Sequence, residues 1–183
     1  QALSGQNSIY AFSTSADVSG GTLTVTAIDN LRSGGVLING SNTISSNLIF
    51  SPLAATAAGT GTPGEALIFV KAGESANLSG TITSNAFTKF GRGELTLSGS
   101  TTVLGDVSVQ DGTLKVGSST TFSRMNSELN INSGATLDLN GYNVAFETIG
   151  ANNRQVATTN LGGSITNTSG TTSTLMVAGP LAS

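Results

Sequence analysis

The chain has 183 residues, a formal net charge of −3 and neither cysteine nor histidine, and only 9% of its residues are charged. Its seven lysines and arginines are too scattered to neutralise a nucleic-acid backbone, and they form no basic amphipathic helix for a membrane surface. The absence of cysteine and histidine from the sequence excludes disulfides, thiolate chemistry and the commonest general base and metal ligand.

Alternating apolar residues run along the whole chain and predict many short β-strands. In each case two apolar residues flank one residue, so the pair faces one side of a strand. Helical periodicity is weak throughout, and residues 145–158 are the one stretch where a short helical turn would fit. The pairs are Leu23/Val25, Leu95/Leu97, Val107/Val109, Leu114/Val116, Leu129/Ile131, Leu137/Leu139, Val144/Phe146 and Leu175/Val177.

The segment 51–65 breaks the alternation with two of the three prolines and several alanines and glycines. This composition predicts an irregular loop, and the apolar run Ala66–Val70 after it predicts a fully buried strand. A domain boundary at this segment is the alternative to a loop. We expect a single domain over residues 1–183, as a segment of a larger surface protein.

A Gly-x-Leu phrase recurs along the chain at the spacing expected for stacked coils. The interval from Leu95 to Leu114 is 19 residues, and that from Leu114 to Leu137 is 23 residues, which are lengths typical of one coil of a β-solenoid. The sequence therefore predicts a right-handed parallel β-helix of about seven or eight coils around an aliphatic column. The phrases are Gly21-Thr22-Leu23, Gly35-Val36-Leu37, Gly93-Glu94-Leu95 and Gly112-Thr113-Leu114, with looser copies at 135–137 and 173–175.

One stretch carries a recognisable motif. Residues 89–99 are KFGRGELTLSG, and residues 111–116 close the phrase as DGTLKV. A lysine, a G-x-G pair and a Leu/Thr alternation ending in Ser-Gly resemble the autotransporter-associated β-strand repeat, clearly over residues 88–118 and more weakly towards residue 180. The motif positions, all interpreted as structural, are Lys89, Gly91, Gly93, Leu95, Leu97, Gly99, Gly112, Leu114 and Val116.

This resemblance implies a passenger-type β-helix of a bacterial surface or secreted protein, located outside the cell or at the outer membrane. It implies a structural or adhesive scaffold, and the repeat carries no known catalytic residue. We therefore expect no enzymatic activity, no cofactor and no metal. The expected partners are a surface glycan, a host surface or neighbouring repeats, without nucleic acid and without membrane insertion by this segment.

A second hypothesis is a self-assembling extracellular filament subunit. A solenoid has two ends with unpaired strand edges, and complementary ends stack head to tail into an open fibre. The apolar stretches SIYAF (8–12) and STLMVAG (173–179) leave this hypothesis open.

A polysaccharide-binding or polysaccharide-cleaving β-helix is a further alternative, with Asp106 and Asp111 as the nearest acidic pair of the repeat. Turn chemistry explains both aspartates and is the favoured interpretation, because each adjoins a glycine. A serine nucleophile would need Lys71, Lys89 or Lys115 as its base. A phosphate loop at Gly91–Gly93 lacks the helix that such a loop requires.

Two surface features also have a functional and a structural interpretation. Thr-x-Thr pairs suggest an ice-binding face, although their irregular spacing favours ordinary strand propensity. The aromatic residues suggest a sugar-stacking platform, although most lie beside aliphatic residues and are expected in the core. Tyr10 and Tyr142 are the best candidates for exposure. The threonines are Thr22/Thr24/Thr26, Thr81/Thr83, Thr166/Thr168 and Thr172/Thr174.

Overall fold

The computed structural model describes residues 2–27, 33–52, 64–122, 128–150 and 162–179. Within these ranges the chain forms β-strands and no helix, as the alternating pattern predicts. In chain order the strands are β1 (Gln6–Ile9), β2 (Ala11–Thr14), β3 (Thr22–Ala27), β4 (Ser33–Ile38), β5 (Thr43–Ile44), β6 (Asn47–Pro52), β7 (Glu65–Val70), β8 (Ser75–Leu78), β9 (Ile82–Ser84), β10 (Phe87–Phe90), β11 (Glu94–Leu97), β12 (Thr101–Val103), β13 (Val107–Val109), β14 (Thr113–Val116), β15 (Glu128–Ile131), β16 (Thr136–Asp138), β17 (Val144–Phe146), β18 (Thr148–Gly150), β19 (Ser164–Thr166) and β20 (Leu175–Val177).

Three parallel sheets form the sides of a solenoid. The first sheet has the order β1-β3-β6-β9-β12, the second β2-β4-β7-β10-β13-β15-β18, and the third β5-β8-β11-β14-β16-β19. The chain visits the three sheets in turn, and each strand pairs in parallel with its counterpart one turn away. β17 and β20 form a separate parallel pair, and β17 takes the position between the third and second sheets that first-sheet strands hold elsewhere. The predicted parallel β-solenoid is confirmed.

About five turns run through all three sheets, against the seven or eight coils that the sequence predicts, and two further strands of the second sheet, β15 and β18, extend the stack. The number of complete turns is lower because the first sheet ends at β12, whereas the second sheet continues to β18. Coil length is also uneven. The Ser98 hydroxyl donates to Asn77 21 residues earlier, whereas the Thr81 N–H donates to Asn47 34 residues earlier. The long coil contains most of the loop predicted at 51–65, of which residues 53–63 lie outside the described ranges.

The core is a mainly aliphatic column inside the three sheets, and it also contains Phe50, Phe87, Phe122 and Phe146. The seven predicted pairs from Leu23/Val25 to Val144/Phe146 are buried, with at most 6% of any side chain exposed. Leu95, Leu114 and Leu137 stack in register, so the Gly-x-Leu phrases of the third sheet do mark successive turns. Each buried aliphatic side chain contributes about 1.5–3 kcal/mol to folding.

Three details differ from the prediction. Leu37 points outward with 39% exposure. Gly35 lies inside β4 rather than before it, so Val36 and Ile38 face the core and Leu37, which lies between them, faces outward. The run Ala66–Val70 is half-buried rather than fully buried, since Leu67 and Phe69 alternate onto the outer face. The described part of 145–158 forms strands β17 and β18 instead of a helical turn, while residues 151–158 lie outside the described ranges.

Candidate functional site

The motif lysine, Lys89, lies inside the solenoid. Its Cα pairs with that of Ile68 in the preceding turn and that of Val109 in the following turn. Both neighbours are core residues, and Lys89 itself has 0% exposed surface. A lysine therefore occupies an aliphatic position of the core column, two residues after the buried Phe87. The sequence identifies Lys89 only as a repeat position. Because Phe87 and Lys89 are two residues apart in an extended strand, they face the same side, and this spacing could have predicted that Lys89 is buried.

The ammonium group of Lys89 donates hydrogen bonds to three backbone carbonyls at the corner after β10. The acceptors are the carbonyls of Gly91, Gly93 and Asp111, the last two at 2.7 Å. Gly91 and Gly93 belong to the same turn as Lys89, and Asp111 belongs to the next turn. An ammonium group has three N–H donors and no lone pair. All three N–H donors of Lys89 are therefore engaged, and its ammonium group has no lone pair with which to act as the base for a serine nucleophile.

The glycines of the motif make room for this contact. Gly91 and Gly112 have positive φ angles of 78° and 67°, in a region that favours glycine. A Cβ at Gly112 would lie 2.5 Å from both the carbonyl oxygen of Gly93 and Nζ of Lys89. The G-x-G element is thus a tight corner whose carbonyls face a cation. This arrangement is opposite in polarity to a phosphate loop, which presents N–H groups.

Two opposing influences act on the charge of Lys89 at this corner. Burial lowers the pKa of Lys89 to about 8, and the carboxylate of Asp111 opposes that shift. Asp111 also accepts the Gly112 N–H at 2.8 Å, which is the Asp-Gly turn expected from the sequence. Nε of Arg92 lies 3.5 Å from the Asp111 carboxylate, but the Arg92 side chain is 80% exposed, so this pair contributes little to stability.

A second buried polar contact joins turns of the third sheet, at Asp138. One carboxylate oxygen accepts the Thr168 hydroxyl at 2.6 Å, and the other accepts the N–H groups of Thr168 and Asn140, both at 3.0 Å. Nζ of Lys115 lies 3.6 Å away. Burial raises the pKa of Asp138, but these hydrogen bonds and Lys115 outweigh it and hold the pKa below its ordinary value.

Sequence reasoning did not single out Asp138. The available signal was its position between two core leucines in a strand, in register with Lys115 one turn earlier. Lys115 is thus engaged by a carboxylate and does not support the serine–lysine hypothesis. Lys71, the remaining candidate base, is exposed at a corner.

The acidic pair Asp106 and Asp111 does not form a paired carboxylate site. The two residues lie on either side of β13, which is an extended strand. At about 3.3 Å per residue their Cα atoms are roughly 13–16 Å apart, whereas glycosidase carboxyl pairs are about 5–9.5 Å apart. The Asp106 carboxylate accepts the Glu128 N–H at 3.4 Å, a contact between turns.

An apolar groove crosses the outer face of the second sheet near its start. Leu37, Phe69 and Phe90 pair in register from turn to turn and face outward. The rings of Phe69 and Phe90 meet edge to face with centroids 5.4 Å apart. The groove has a volume of about 270 Å³, and Ala11, Gly35 and Leu67 also line it. We call Leu37, Phe69 and Phe90 the outer stripe.

The outer stripe changes the choice of exposed aromatic residues. Tyr10 is 47% exposed as predicted, but Tyr142 is partly buried against the core. Phe90 is 37% exposed, an outward position that sequence reasoning assigned to the core. Its place follows from parity, because Phe90 is one residue after the inward-facing Lys89. Phe50, Phe87, Phe122 and Phe146 are buried as expected.

The threonines do not form a regular array on the outer face of the first sheet. Thr24, Thr83 and Thr102 belong to one column, but Ile49 stands between Thr24 and Thr83 in that column. Ile49 is 37% exposed and interrupts the row of hydroxyls. Strand propensity explains these residues without an ice-binding role.

The described ranges contain no group of three or more metal-ligating side chains. They also contain no helix that is long and apolar enough to cross a membrane. Comparison of the chain with protein-family models, curated proteins and solved structures finds no match.

Proposed function

We propose that the chain is an extracellular structural and adhesive scaffold. The observation that carries this proposal is the continuity of the parallel ladders. The second sheet alone runs through seven strands from β2 to β18, around a core that Lys89 and Asp138 fasten from turn to turn. A stack of seven strands is about 30 Å long at about 4.8 Å per rung. Few backbone groups of such a rod are free, which favours resistance to proteases.

The chemistry of the chain supports a location outside the cell. Only 9% of the residues are charged, and serine, threonine and asparagine supply much of the remaining polar surface. The resemblance of residues 88–118 to the autotransporter-associated repeat points to the same location.

Adhesion is supported by the outer stripe. Leu37 and Phe90 are 39% and 37% exposed and lie on either side of Phe69. A contiguous apolar strip on a soluble surface is typical of an interaction site. Its edge-to-face rings offer a stacking surface to the apolar face of a sugar or to a host surface.

The test is a retention assay with beads that carry the purified chain over glycan-coated and uncoated surfaces. We expect the variant Leu37→Ser/Phe90→Ser to lose most of its retention. Ile49→Ser is the matched control, because Ile49 has the same 37% exposure on a different sheet. Equal retention of all three proteins would refute adhesion through the outer stripe. Rapid proteolysis of the folded wild-type chain would refute the scaffold itself.

Cleavage of a polysaccharide has weaker support. It depended on Asp106 and Asp111 acting together, and these residues lie at opposite ends of β13. We therefore propose a scaffold without catalysis.

A further inference from the structure

We propose that the outer stripe is the apolar half of a longer track, which binds a neutral, extended polysaccharide lying parallel to the rod axis. This inference rests on the proposed adhesive function and names the ligand class of the same site. The track is one outward-facing column of the second sheet, followed from turn to turn, and we call it the glycan track. Its residues are Ser13, Leu37, Phe69, Phe90, Gln110 and Asn132.

The polar half of the track continues the same column beyond the outer stripe. Phe90 and Gln110 each lie one residue after a paired inward position of β10 and β13, so they take equivalent outward places in successive turns. Asn132 takes the same place after β15. Its Nδ2 donates a hydrogen bond to Oε1 of Gln110, from one turn to the next. The column therefore passes from apolar side chains to two carboxamides without leaving the face.

The two carboxamides have hydrogen-bonding capacity that suits sugar hydroxyls. Their mutual contact uses one N–H of Asn132 and the oxygen of Gln110. Among the described residues, the N–H groups of Gln110 and the oxygen of Asn132 have no other hydrogen-bond partner, and both side chains are half-buried at the surface. They present donors and an acceptor side by side, which is the pattern that neighbouring hydroxyl groups of a sugar complement.

A groove runs beside the apolar half of the track. Leu37 and Phe69 line it, and Gly35 forms part of its floor. A Cβ at Gly35 would meet no atom within 4 Å, so the space above the floor is open. The volume of about 270 Å³ is near the lower limit for small-molecule sites. The groove therefore suits a chain one ring wide, whereas a helix, which is about 10–12 Å across, would not enter it.

The spacing of the turns matches a chain of sugars. Neighbouring turns are about 4.8 Å apart, which is close to the length of one residue in an extended β-1,4-linked glucan. A glycan parallel to the rod therefore places successive rings beside Leu37, Phe69 and Phe90, where the apolar face of each ring meets an apolar side chain. The track crosses six strands, from β2 to β15, so about five or six sugars fill it.

Charge and backbone pairing favour a neutral glycan over other polymers. None of the six residues of the glycan track is charged, and Arg92 at the adjacent corner is already paired with Asp111. An anionic polymer would need cations along its length. An added peptide strand would need an unpaired strand edge, but the strands from β4 to β15 are paired on both sides.

Isothermal titration calorimetry with the trimers and hexamers of β-1,4-linked glucose and mannose tests the proposal. Both sugars give neutral, extended chains. We expect the hexamer of at least one of them to bind at least about tenfold more tightly than its trimer, because the longer chain reaches the carboxamides. Maltohexaose, which coils, and the hexamer of galacturonic acid, which is charged, should each bind at least about tenfold more weakly than that hexamer.

Two variants test the two halves of the glycan track. Gly35→Val fills the floor of the groove without backbone strain, because Gly35 has no positive φ and its Cβ position is open. It should weaken binding of the hexamer at least about tenfold. Gln110→Ala/Asn132→Ala should weaken the hexamer to a similar extent but leave the trimer nearly unchanged. Thr83→Val, on the outer face of the first sheet, is the matched control and should bind like wild type.

Circular dichroism of each variant establishes that the fold is retained. Failure of both neutral hexamers to bind, equal affinity for trimer and hexamer, tighter binding of the galacturonic acid hexamer, or wild-type affinity of Gly35→Val would overturn the proposal. These results would leave adhesion standing if retention on uncoated surfaces still depends on Leu37 and Phe90, since the partner would then be a surface of another class.

Discussion

The Nζ atom of Lys89 and the backbone carbonyl oxygen of Asp111 lie 2.7 Å apart, although 22 residues separate them in the chain. The contact crosses from one turn to the next at a corner, where the sheet ladders are interrupted. Lys89 holds Gly91 and Gly93 of its own turn with the same ammonium group. A single side chain thus fixes the position of two stacked corners.

Replacement of Lys89 by methionine should destabilise the protein. Methionine fills a similar volume but removes the ammonium donor from the carbonyls of Gly91 and Asp111, whereas the Gly93 carbonyl still accepts the Thr113 N–H at 3.3 Å. Each unsatisfied buried group costs about 1–3 kcal/mol. Because the buried charge is removed as well, we expect a net loss of about 2–4 kcal/mol in the free energy of unfolding. Urea unfolding measures it. The control Lys71→Met, at an exposed corner, should change stability by less than about 0.5 kcal/mol.

The pKa of Lys89 predicts a pH dependence of stability. It is about 8 in the folded protein, against 10.5 for an ordinary lysine. Between these values the unfolded chain binds a proton that the folded chain has released, so the free energy of unfolding rises with pH. Urea unfolding of the wild type and Lys89→Met from pH 7 to 11 isolates the effect. Their difference should grow across this window, and a constant or falling difference would contradict the assignment.

Replacement of Gly112 by alanine should cost more than the same change at Gly73. Both residues have positive φ, 67° and 82°, so both alanines suffer the backbone strain of about 1–2 kcal/mol. Only at Gly112 does the new Cβ meet the carbonyl of Gly93 and Nζ of Lys89, since nothing lies within 4 Å at Gly73. We expect Gly112→Ala to be less stable than Gly73→Ala by about 1–3 kcal/mol in urea unfolding. Equal losses would mean that the corner can relax.

Asp138 should stabilise the protein only when it is ionised. Its pKa is lowered below 3.8, so its contribution is present above that pH and disappears as the pH falls through the folded-state value. We expect Asp138→Asn to lose about 1–3 kcal/mol at pH 6, because the amide cannot accept all the bonds from Thr168 and Asn140. The difference from wild type should shrink in thermal unfolding below about pH 4.

The control for that experiment is Asp106→Asn. Asp106 is exposed and accepts one long hydrogen bond from Glu128 at 3.4 Å, so its replacement should have little effect at either pH. Loss of stability at Asp106 as large as that at Asp138 would contradict a specific role for the buried carboxylate.

Duplication of residues 94–112 should give a folded protein that is one turn longer. Glu94 pairs with Thr113, so the inserted copy ends where the next turn begins and keeps every side chain on its own face. Small-angle scattering should show a rod longer by about 4.8 Å. The same duplication with one serine inserted after Thr96 reverses the faces of the strand end and should unfold at lower urea concentration.

The parity of the strands was the most predictable part of the structure. Pairs such as Leu95/Leu97 must face inward once the chain is extended, and the 19-residue interval to Leu114 matches the observed pairing. The number of turns was less predictable. It depends on insertions at corners, which leave no periodic trace, and the insertion before Gly64 lengthens one coil without disturbing the ladders on either side.

The candidate sites were harder to predict, because the alternation of the strands places some apolar residues on the outer face and one charged residue on the inner face. Leu37 and Phe90 are apolar residues on the outside, and Lys89 is a charged residue on the inside. Hydrophobicity alone assigns all three to the wrong face, whereas counting parity from Phe87 places Lys89 and Phe90 correctly. To predict the contact of Asp138 with Lys115, the register of the third sheet must be known. The sequence indicates that register only through the spacing of Leu95, Leu114 and Leu137.

The burial of Lys89 also limits how the coils can be mis-stacked. The column in which it stands contains Val36, Ile68, Val109 and Ile131, and slippage by one whole coil would leave these aliphatic contacts nearly unchanged. The ammonium group would then keep the carbonyls of Gly91 and Gly93 in its own turn but lose the Asp111 carbonyl of the next turn. A single charge thereby favours the native stacking over stacking that is shifted by one coil. An interior without this charge would accept either arrangement.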